Sequence, residues 1–428
     1  MTEKMKPSGI AWIGDIPYDW DCKRYRFCGN VQYGYPFNSD YFTTEEAGFP
    51  LIRIRDITSG EIATYYEGSY PEEYIVKNGD VLVGMDGDFN VRVWKNCDAL
   101  LNQRCCRVFD SQQISKRFMS YYLPHYLKVI NDLTWSTTVK HLLADDINNI
   151  YVSYPSISEQ QAIADFLDVQ CAKIDSVISD IEKQIETLQK YKKSLITEAV
   201  TKGLDRSVPM KDSGIDWIGT IPTHWDTNRL RYVASVKTGP FGTQLSADEY
   251  VDEGVPIINV KNIGYGSILA EDLDCVPESV ADRLSVHRLK LDDIVFGRKG
   301  AVDKHAIITD EYVDWVQGSD CIRVRSNSEI DSGYLNYLFD STYFGSYVML
   351  YAVGATMPSM SSDILLNARI LVPPVQEQKE IAAYLDKQCG KIDAIITNKQ
   401  EQCATIRGHK KSLIYEYVTG KKRVTEVN

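Results

Sequence analysis

The sequence predicts an α+β protein: two α/β heads joined by two long helices in an antiparallel coiled coil, the whole a pseudo-two-fold tandem repeat. Three observations carry this expectation. A motif near the N-terminus returns in the middle of the chain. A second, helix-like segment also occurs twice, once after each copy of the first. Apolar residues in the helix-like segments step by threes and fours, whereas elsewhere short apolar runs alternate with turn residues.

The first head is expected over residues 1–153. It opens with KPSGIAWIGDIPYDWD from Lys6, which returns as KDSGIDWIGTIPTHWD from Lys211, an offset of 205 residues (211 minus 6). The runs PLIRIRDI from Pro50 and DVLVGMDG from Asp80 resemble strands ending in loops. RFMSYYLPHYLKVI from Arg117 has the spacing of an amphipathic helix, and NNIYVSYP, ending at Pro155, is a last strand.

The first helical spacer is expected over residues 154–206. Between Ser158 and Lys202 there is neither proline nor glycine. Ser158 with Gln161 fits a capping box, and Gly203 is a natural stop. Ile174, Ile178, Ile181, Ile185, Leu188, Leu195 and Ala199 form a coiled-coil seam broken at Lys192. A helix of this length cannot bury its stripe on one compact head, so the two helices are expected to pair. The alternative is that each packs on its own head.

The second head is expected over residues 207–371, with PIINVKNI from Pro256, DIVFGRKG from Asp293 and GYLNYLFDSTYFGSYV from Gly333 in the places of the first head's strands and helix. ARILVPP from Ala368 is its last strand. The second spacer, residues 372–428, repeats the first at an offset of 218 (373 minus 155). Its seam is Ile392, Ile396, Lys399, Cys403, Ile406, Lys410, Leu413 and Tyr417, and Gly390 and Gly408 each cost about 1 kcal/mol relative to alanine. The expected pairing residues are Ile174, Ile185 and Leu188 against Ile392, Ile396 and Ile406. The helical segments match more closely than the heads, as a fixed frame carrying two divergent heads would.

Polar side chains crowd the loops where the heads diverge. Arg and Lys match guanine edges, Asn and Gln match adenine, and Asp accepts from cytosine. The candidate DNA-binding residues of the first head are Arg53, Arg55, Asp86, Asn90, Arg92, Gln103 and Arg104, with Asp56, Asp88, Trp94 and Asn102 among them. Those of the second are Lys237, Gln244, Asn259, Lys261, Asn262, Arg298, Lys299 and Lys304, with Gln317 and Ser319 nearby. For any one of them a solvated surface is the plainer reading; the set is what suggests base recognition.

The formal net charge of −12 opposes nucleic-acid binding unless basic residues gather on one face. Ten cysteines without a C-x-x-C pair point to free thiols in a reducing compartment. No phosphate-cradling glycine loop, H-E-x-x-H cluster or Asn-Pro-Pro-aromatic motif is present, so no catalytic or metal site is expected. MTEKMKPSG lacks the apolar run of a signal peptide, and no stretch is apolar enough to span a bilayer; cytoplasmic placement is expected, with no membrane partner.

SGIxWIGxIPxxW followed by PxxxEQxxIAxxLDxQCxKID, present twice, resembles the specificity subunits of Type I restriction–modification enzymes. GPFGTQL at Gly239 and GATMPSM at Gly354 are similar to recurrent stretches of that family's target-recognition domains. The first head departs there, with YGYPFNSD at Tyr33 and STTVKHL at Ser136. The resemblance implies that each head is a target-recognition domain reading half of a bipartite site in double-stranded DNA. It implies that the helices set the spacer and dock two modification (methyltransferase) subunits. It further implies restriction (translocase and endonuclease) subunits, with S-adenosylmethionine, ATP and Mg²⁺ on those partners and no cofactor on this chain. Two rival readings are a free-standing nuclease and a coiled-coil scaffold that never touches DNA.

Overall fold

The computed structural model describes residues 4–133, 140–215, 218–300, 302–354 and 358–424. The chain divides into two units: Met1–Ile181 with Glu401–Asn428, and Glu182–Gln400. Two long helices, Ile157–Lys202 and Val375–Val418, each contribute one part to either unit. Each unit therefore holds a head and a paired stretch of both helices.

The first head contains two sheets. One is antiparallel in the order Val91–Val93, Val81–Gly84, Cys105–Phe109, Asn30–Tyr33. The other places Phe49–Ile52 parallel to Ala99–Leu101, with short strands on either side. The helix Lys116–Leu133 covers the first sheet with Phe118, Met119, Tyr122 and Leu123, all fully buried. The second head repeats the plan. Ala234–Thr238, Cys321–Ser326, Ile294–Gly297 and His305–Ile307 form the antiparallel sheet, and Val255–Ile258 runs parallel to Val316–Gln317.

Register makes the equivalence exact residue by residue. Cys105 faces Gly84 and Arg107 faces Leu82, as Cys321 faces Gly297 and Arg323 faces Val295. The bends before the central strands are also the same. The Lys77 amide donates to Asp80 at 3.0 Å and the Lys290 amide to Asp293 at 2.8 Å. Asp80 then meets Arg107 at 3.1 Å, while Asp293 meets Arg325 at 2.6 Å and Arg323 at 4.0 Å. Burial opposes ionisation of Asp80, but the Lys77 amide, Lys116 and Arg107 outweigh it and hold the carboxyl below its usual range.

The repeated motifs are the fastenings of this frame. Gln160 and Gln378, from the two EQ pairs, are fully buried. Gln160 donates to the carbonyls of Gln113 and Pro155 and accepts from the Ser115 amide. Gln378 donates to those of Glu329 and Pro373 and accepts from the Asp331 amide. The IPxxW segments receive helix ends. Gly420, past the end of the second helix, sits against Pro17 and Trp20 in the first unit; Gly203, past the first, sits against Pro222 and Trp225 in the second. Both glycines have positive φ, +71° and +72°, and a Cβ on Gly420 would lie 2.4 Å from Pro17.

Within each unit the helices run antiparallel. In the first, Phe166 lies against Tyr417 (ring centroids 4.6 Å apart) and Asp175 pairs with Lys410 at 2.6 Å. In the second, Gln184 meets Lys399 at 2.6 Å and Asp393 meets Lys192 at 2.7 Å. The lysines that interrupt the apolar seam are thus the residues that reach across it. Ile178, Ile181, Ile392, Ile396 and Cys403 are buried; Ile174, Ile185, Leu188 and Ile406 are half-buried.

Three local expectations are corrected. PLIRIRDI is a strand only to Ile52; Ile54–Ser59 is helical, because the Asp56 carboxylate captures the Arg53 amide at 2.8 Å and turns the chain. The second head turns in the same way, the Asn259 amide donating to Asn262 at 3.1 Å. The first long helix is capped by Ser156, whose hydroxyl accepts from the Glu159 amide at 3.4 Å, and not by Ser158, which already lies inside it. GYLNYLFDSTYFGSYV is two helices, Ser332–Asp340 and Thr342–Tyr351, since Ser341 turns out of helical geometry and caps the second. All ten cysteines are free.

Candidate nucleic-acid interface

In each head three chain segments meet at the open end of the antiparallel sheet. They are the loop after the central strand, the turn that joins the two sheets, and a segment preceding the last strand. In the first head the Met85 amide donates to the Arg104 carbonyl (2.9 Å), Leu142 to Met85 (2.7 Å) and Gly87 to Lys140 (2.9 Å). In the second the Arg298 amide donates to Asp320 (2.8 Å), Met360 to Arg298 (2.9 Å) and Gly300 to Pro358 (2.9 Å). The two frames are the same, bond for bond.

A fourth segment closes on the turn. Gly34 and Gly239 follow equivalent edge strands, and a Cβ on either would lie 1.9 Å from the Asn102 carbonyl oxygen or 1.8 Å from that of Gly318. Only glycine fits this approach. It holds the turn that carries Gln103 and Arg104, and in the second head Ser319 and Asp320. Arg104 has φ +68°, uncommon for a residue with a side chain, so the turn is held against a local backbone preference.

Arg53, Arg55, Asp86, Gln103 and Arg104 come together with Ile54 and Asn102 around a hollow of 250 Å³. Arg53, Gln103 and Arg104 are exposed. Asp86 lies 2.7 Å from His141 Nδ1 and 3.8 Å from Arg104. Arg55 donates to Thr64 at 2.7 Å and lies 3.6 Å from Asp56. Asn90 and Arg92 stand apart from the hollow. Asn90 donates to Thr58, and Arg92 donates to the carbonyls of Ile57 and Thr58, tying down the end of the short helix. Asp56 and Trp94 are buried, and Asp88 is exposed.

The second head disperses its candidates more widely. Arg298 and Lys299 occupy the loop after the central strand, and Lys299 lies 3.3 Å from Asp320. Lys304 stands 5.5 Å from the Tyr265 ring centre. Asn262 is buried and donates to the carbonyls of Leu269 and Glu271, so it shapes the turn. Asn259 donates to Asp274 at 2.7 Å. Lys261 is held between Asp274 and Asp272, at 3.2 and 3.3 Å, which raises its pKa. Lys237 is half-buried, and its carbonyl accepts from the fully buried Gln317. Gln244 is exposed in the turn Gly242–Gln244, and Ser319 is half-buried.

Sequence reasoning passed over His141 and Asp320, the partners of Asp86 and Lys299. The signal for Asp320 was its alignment with Arg104 at an offset of 216 (320 minus 104), the offset that also aligns Arg323 with Arg107. The stretch STTVKHL is described only from Lys140, and Ala355 to Met357 of GATMPSM lie outside the described residues. Among the described residues, no group of three or more His, Cys, Asp or Glu is placed to hold a metal ion, and no helix is long and apolar enough to cross a membrane.

Comparison with known proteins agrees with this duplicated architecture. The family model described as "Type I restriction modification DNA specificity domain" matches residues 19–187 and again 222–403. The chain is 26% identical to the Type I restriction enzyme EcoBI specificity subunit of Escherichia coli, over 91% of this chain and 84% of that one. It is 28% identical to the MjaVIII specificity subunit of Methanocaldococcus jannaschii, over 90% and 88%. A chain from a structural study of assembly and conformational transition in a type I R-M system shares the fold, with a TM-score of 0.65 at 15% identity, covering 95% of this chain and 99% of that one.

Proposed function

The chain belongs to the Type I restriction–modification DNA specificity family, whose members are non-catalytic and direct sequence-specific recognition, and from this premise we propose how its parts divide the work. Each head reads one half of a bipartite site in double-stranded DNA. The paired helices fix the separation of the half-sites and carry two modification subunits. Those subunits bring S-adenosylmethionine, and restriction subunits bring ATP and Mg²⁺. The complex works in the cytoplasm, where its DNA is.

The observation that carries this reading is the loop frame. The same backbone hydrogen bonds recur in both heads while the residues displayed on them differ. A constant frame with variable tips is what two readers of different sequences require. We propose that Arg53, Arg55, Asp86, Gln103 and Arg104 of the first head, with Arg298, Lys299 and Lys304 of the second, face the DNA. The remaining candidates, Asn90, Arg92, Lys237, Gln244, Asn259, Lys261 and Asn262, support loops or contact phosphates at the margin. The acidic excess is compatible with this, because phosphate binding depends on local charge and Arg53 and Arg104 stand exposed on one set of loops.

The test is sequence selection from random duplex DNA by the chain assembled with its modification subunits. Two short motifs at a fixed separation are expected. Recovery of a single continuous motif would overturn the division between heads.

A further inference from the structure

The two heads share not only a frame but two pairs of charged positions, one buried and one exposed. At the buried pair the polarity is conserved: an Asp before the central strand, Asp80 or Asp293, faces an Arg on its neighbour, Arg107 at 3.1 Å or Arg323 at 4.0 Å, with Asp293 held more closely by Arg325 at 2.6 Å on the same strand. At the exposed pair, at the tips of the same two strands, the polarity is reversed. The first head has Asp86 on the loop and Arg104 on the turn, 3.8 Å apart. The second has Lys299 on the loop and Asp320 on the turn, 3.3 Å apart. The offsets are the same in both cases: 213 for Asp80 to Asp293 and Asp86 to Lys299, and 216 for Arg107 to Arg323 and Arg104 to Asp320.

Folding explains the buried pair. A desolvated charge needs its partner, and the strand geometry fixes which side is which. It does not explain the exposed pair, because a surface ion pair contributes little to stability and its polarity is free. At Lys299 and Asp320 about half of each side chain is open to solvent, as it is at Arg104; Asp86 is more enclosed, 20% exposed.

We propose that this exposed pair is the sequence-discriminating element of each head, and that its reversed polarity makes the two half-sites different. The proposal rests on the reading of both heads as DNA readers. In the free protein Lys299 and Asp320 pair directly, whereas Asp86 is held by His141 at 2.7 Å with Arg104 3.8 Å away. In the major groove each exchanges its partner for a base edge. Arg104 or Lys299 donates to guanine O6 and N7, and Asp86 or Asp320 accepts from the cytosine N4 amino group. The loop of the first head then presents an acceptor and its turn a donor, while the second head presents the opposite. The hollow around Asp86 and Arg104, lined also by Arg53 and Gln103, gives the first head further donors beside the pair.

The test is a double variant that keeps an ion pair and reverses its sense, Lys299→Asp with Asp320→Arg, assembled with the modification subunits and submitted to selection from random duplex DNA. The single variant Asp320→Asn, which preserves side-chain shape, is run beside it. The double variant should melt as the parent does and yield an altered or unreadable second half-site, with the first half-site and the spacing unchanged. Asp320→Asn should lose about tenfold in preference at one base position. Recovery of the parent's two half-sites by both variants would overturn the proposal and leave the pair a surface contact. If the parent itself enriches no sequence, the premise of DNA reading fails, an outcome distinct from unchanged specificity.

Discussion

Replacing Gly34 by alanine should damage the first head's reading turn without touching any residue proposed to meet DNA. The new Cβ would lie 1.9 Å from the Asn102 carbonyl oxygen, whereas ordinary contact begins at 3.4 Å, so the turn must retreat by about 1.5 Å. That movement strains the bonds that seat it: Gly34 amide to Cys105 (2.8 Å), Tyr35 to Leu101 (2.9 Å) and Gln103 to Tyr35 (2.9 Å). Overpacking costs about 1–3 kcal/mol and each lost hydrogen bond about 1 kcal/mol, so a loss of about 2–4 kcal/mol is expected. For a unit of this size that lowers Tm by about 5–15 °C. Thermal melting followed by sequence selection reads both consequences, and the first half-site should lose definition while the second persists. Gly239→Ala, with its Cβ 1.8 Å from the Gly318 carbonyl oxygen, should give the mirror result. A Gly34→Ala protein that melts normally and selects both half-sites would refute the claim that this close approach holds the turn.

Exchanging residues 1–153 for another head should change one half-site and leave the other intact, as methylation mapping would register. Ile396→Ala should destabilise by about 2–4 kcal/mol in a denaturant melt, whereas Ile395→Ala should cost less than about 0.5 kcal/mol, since the first is 8% exposed and its neighbour 47%. His287 is buried with Lys237 and Arg323 nearby; burial first, then those charges, lower its pKa from 6.5 to about 4. Protons then bind the unfolded chain more readily between those values, so stability is full above pH 6.5 and falls as pH drops toward 4; melts of the parent and His287→Gln across that range should diverge, with the variant the flatter. Seven residues inserted into each long helix, after Glu182 and after Gln400, preserve the seam and add about 10 Å. The selected spacer should lengthen by about three base pairs with both half-sites retained.

The repeat and the two helices were legible because they depend on periodicity, which a chain displays along its own length. The seam could be followed even through Lys192, Lys399 and Lys410, although their partners Asp393, Gln184 and Asp175 lie about 200 residues away or more and left no local trace. Local competition was harder to see. A β-branched run ending RIRDI reads as strand until Asp56 captures the amide of Arg53. The candidate interface was legible as a set of loops but not as a division of labour within them. Arg92 and Arg104 are the same residue type at the same sheet, one on the edge strand Val91–Val93 and the other in the turn leading into Cys105–Phe109. One is bound to the carbonyls of Ile57 and Thr58, more than thirty residues earlier, and the other stands exposed at a turn tip. Composition cannot distinguish them, because the difference is made by what the fold brings alongside.

The most direct test of the whole account is methylation mapping of DNA from cells expressing this chain with its modification subunits. The account predicts modification within a split sequence, two defined segments separated by a fixed number of unspecified bases. Modification of one uninterrupted sequence, or modification with no sequence preference, would contradict it.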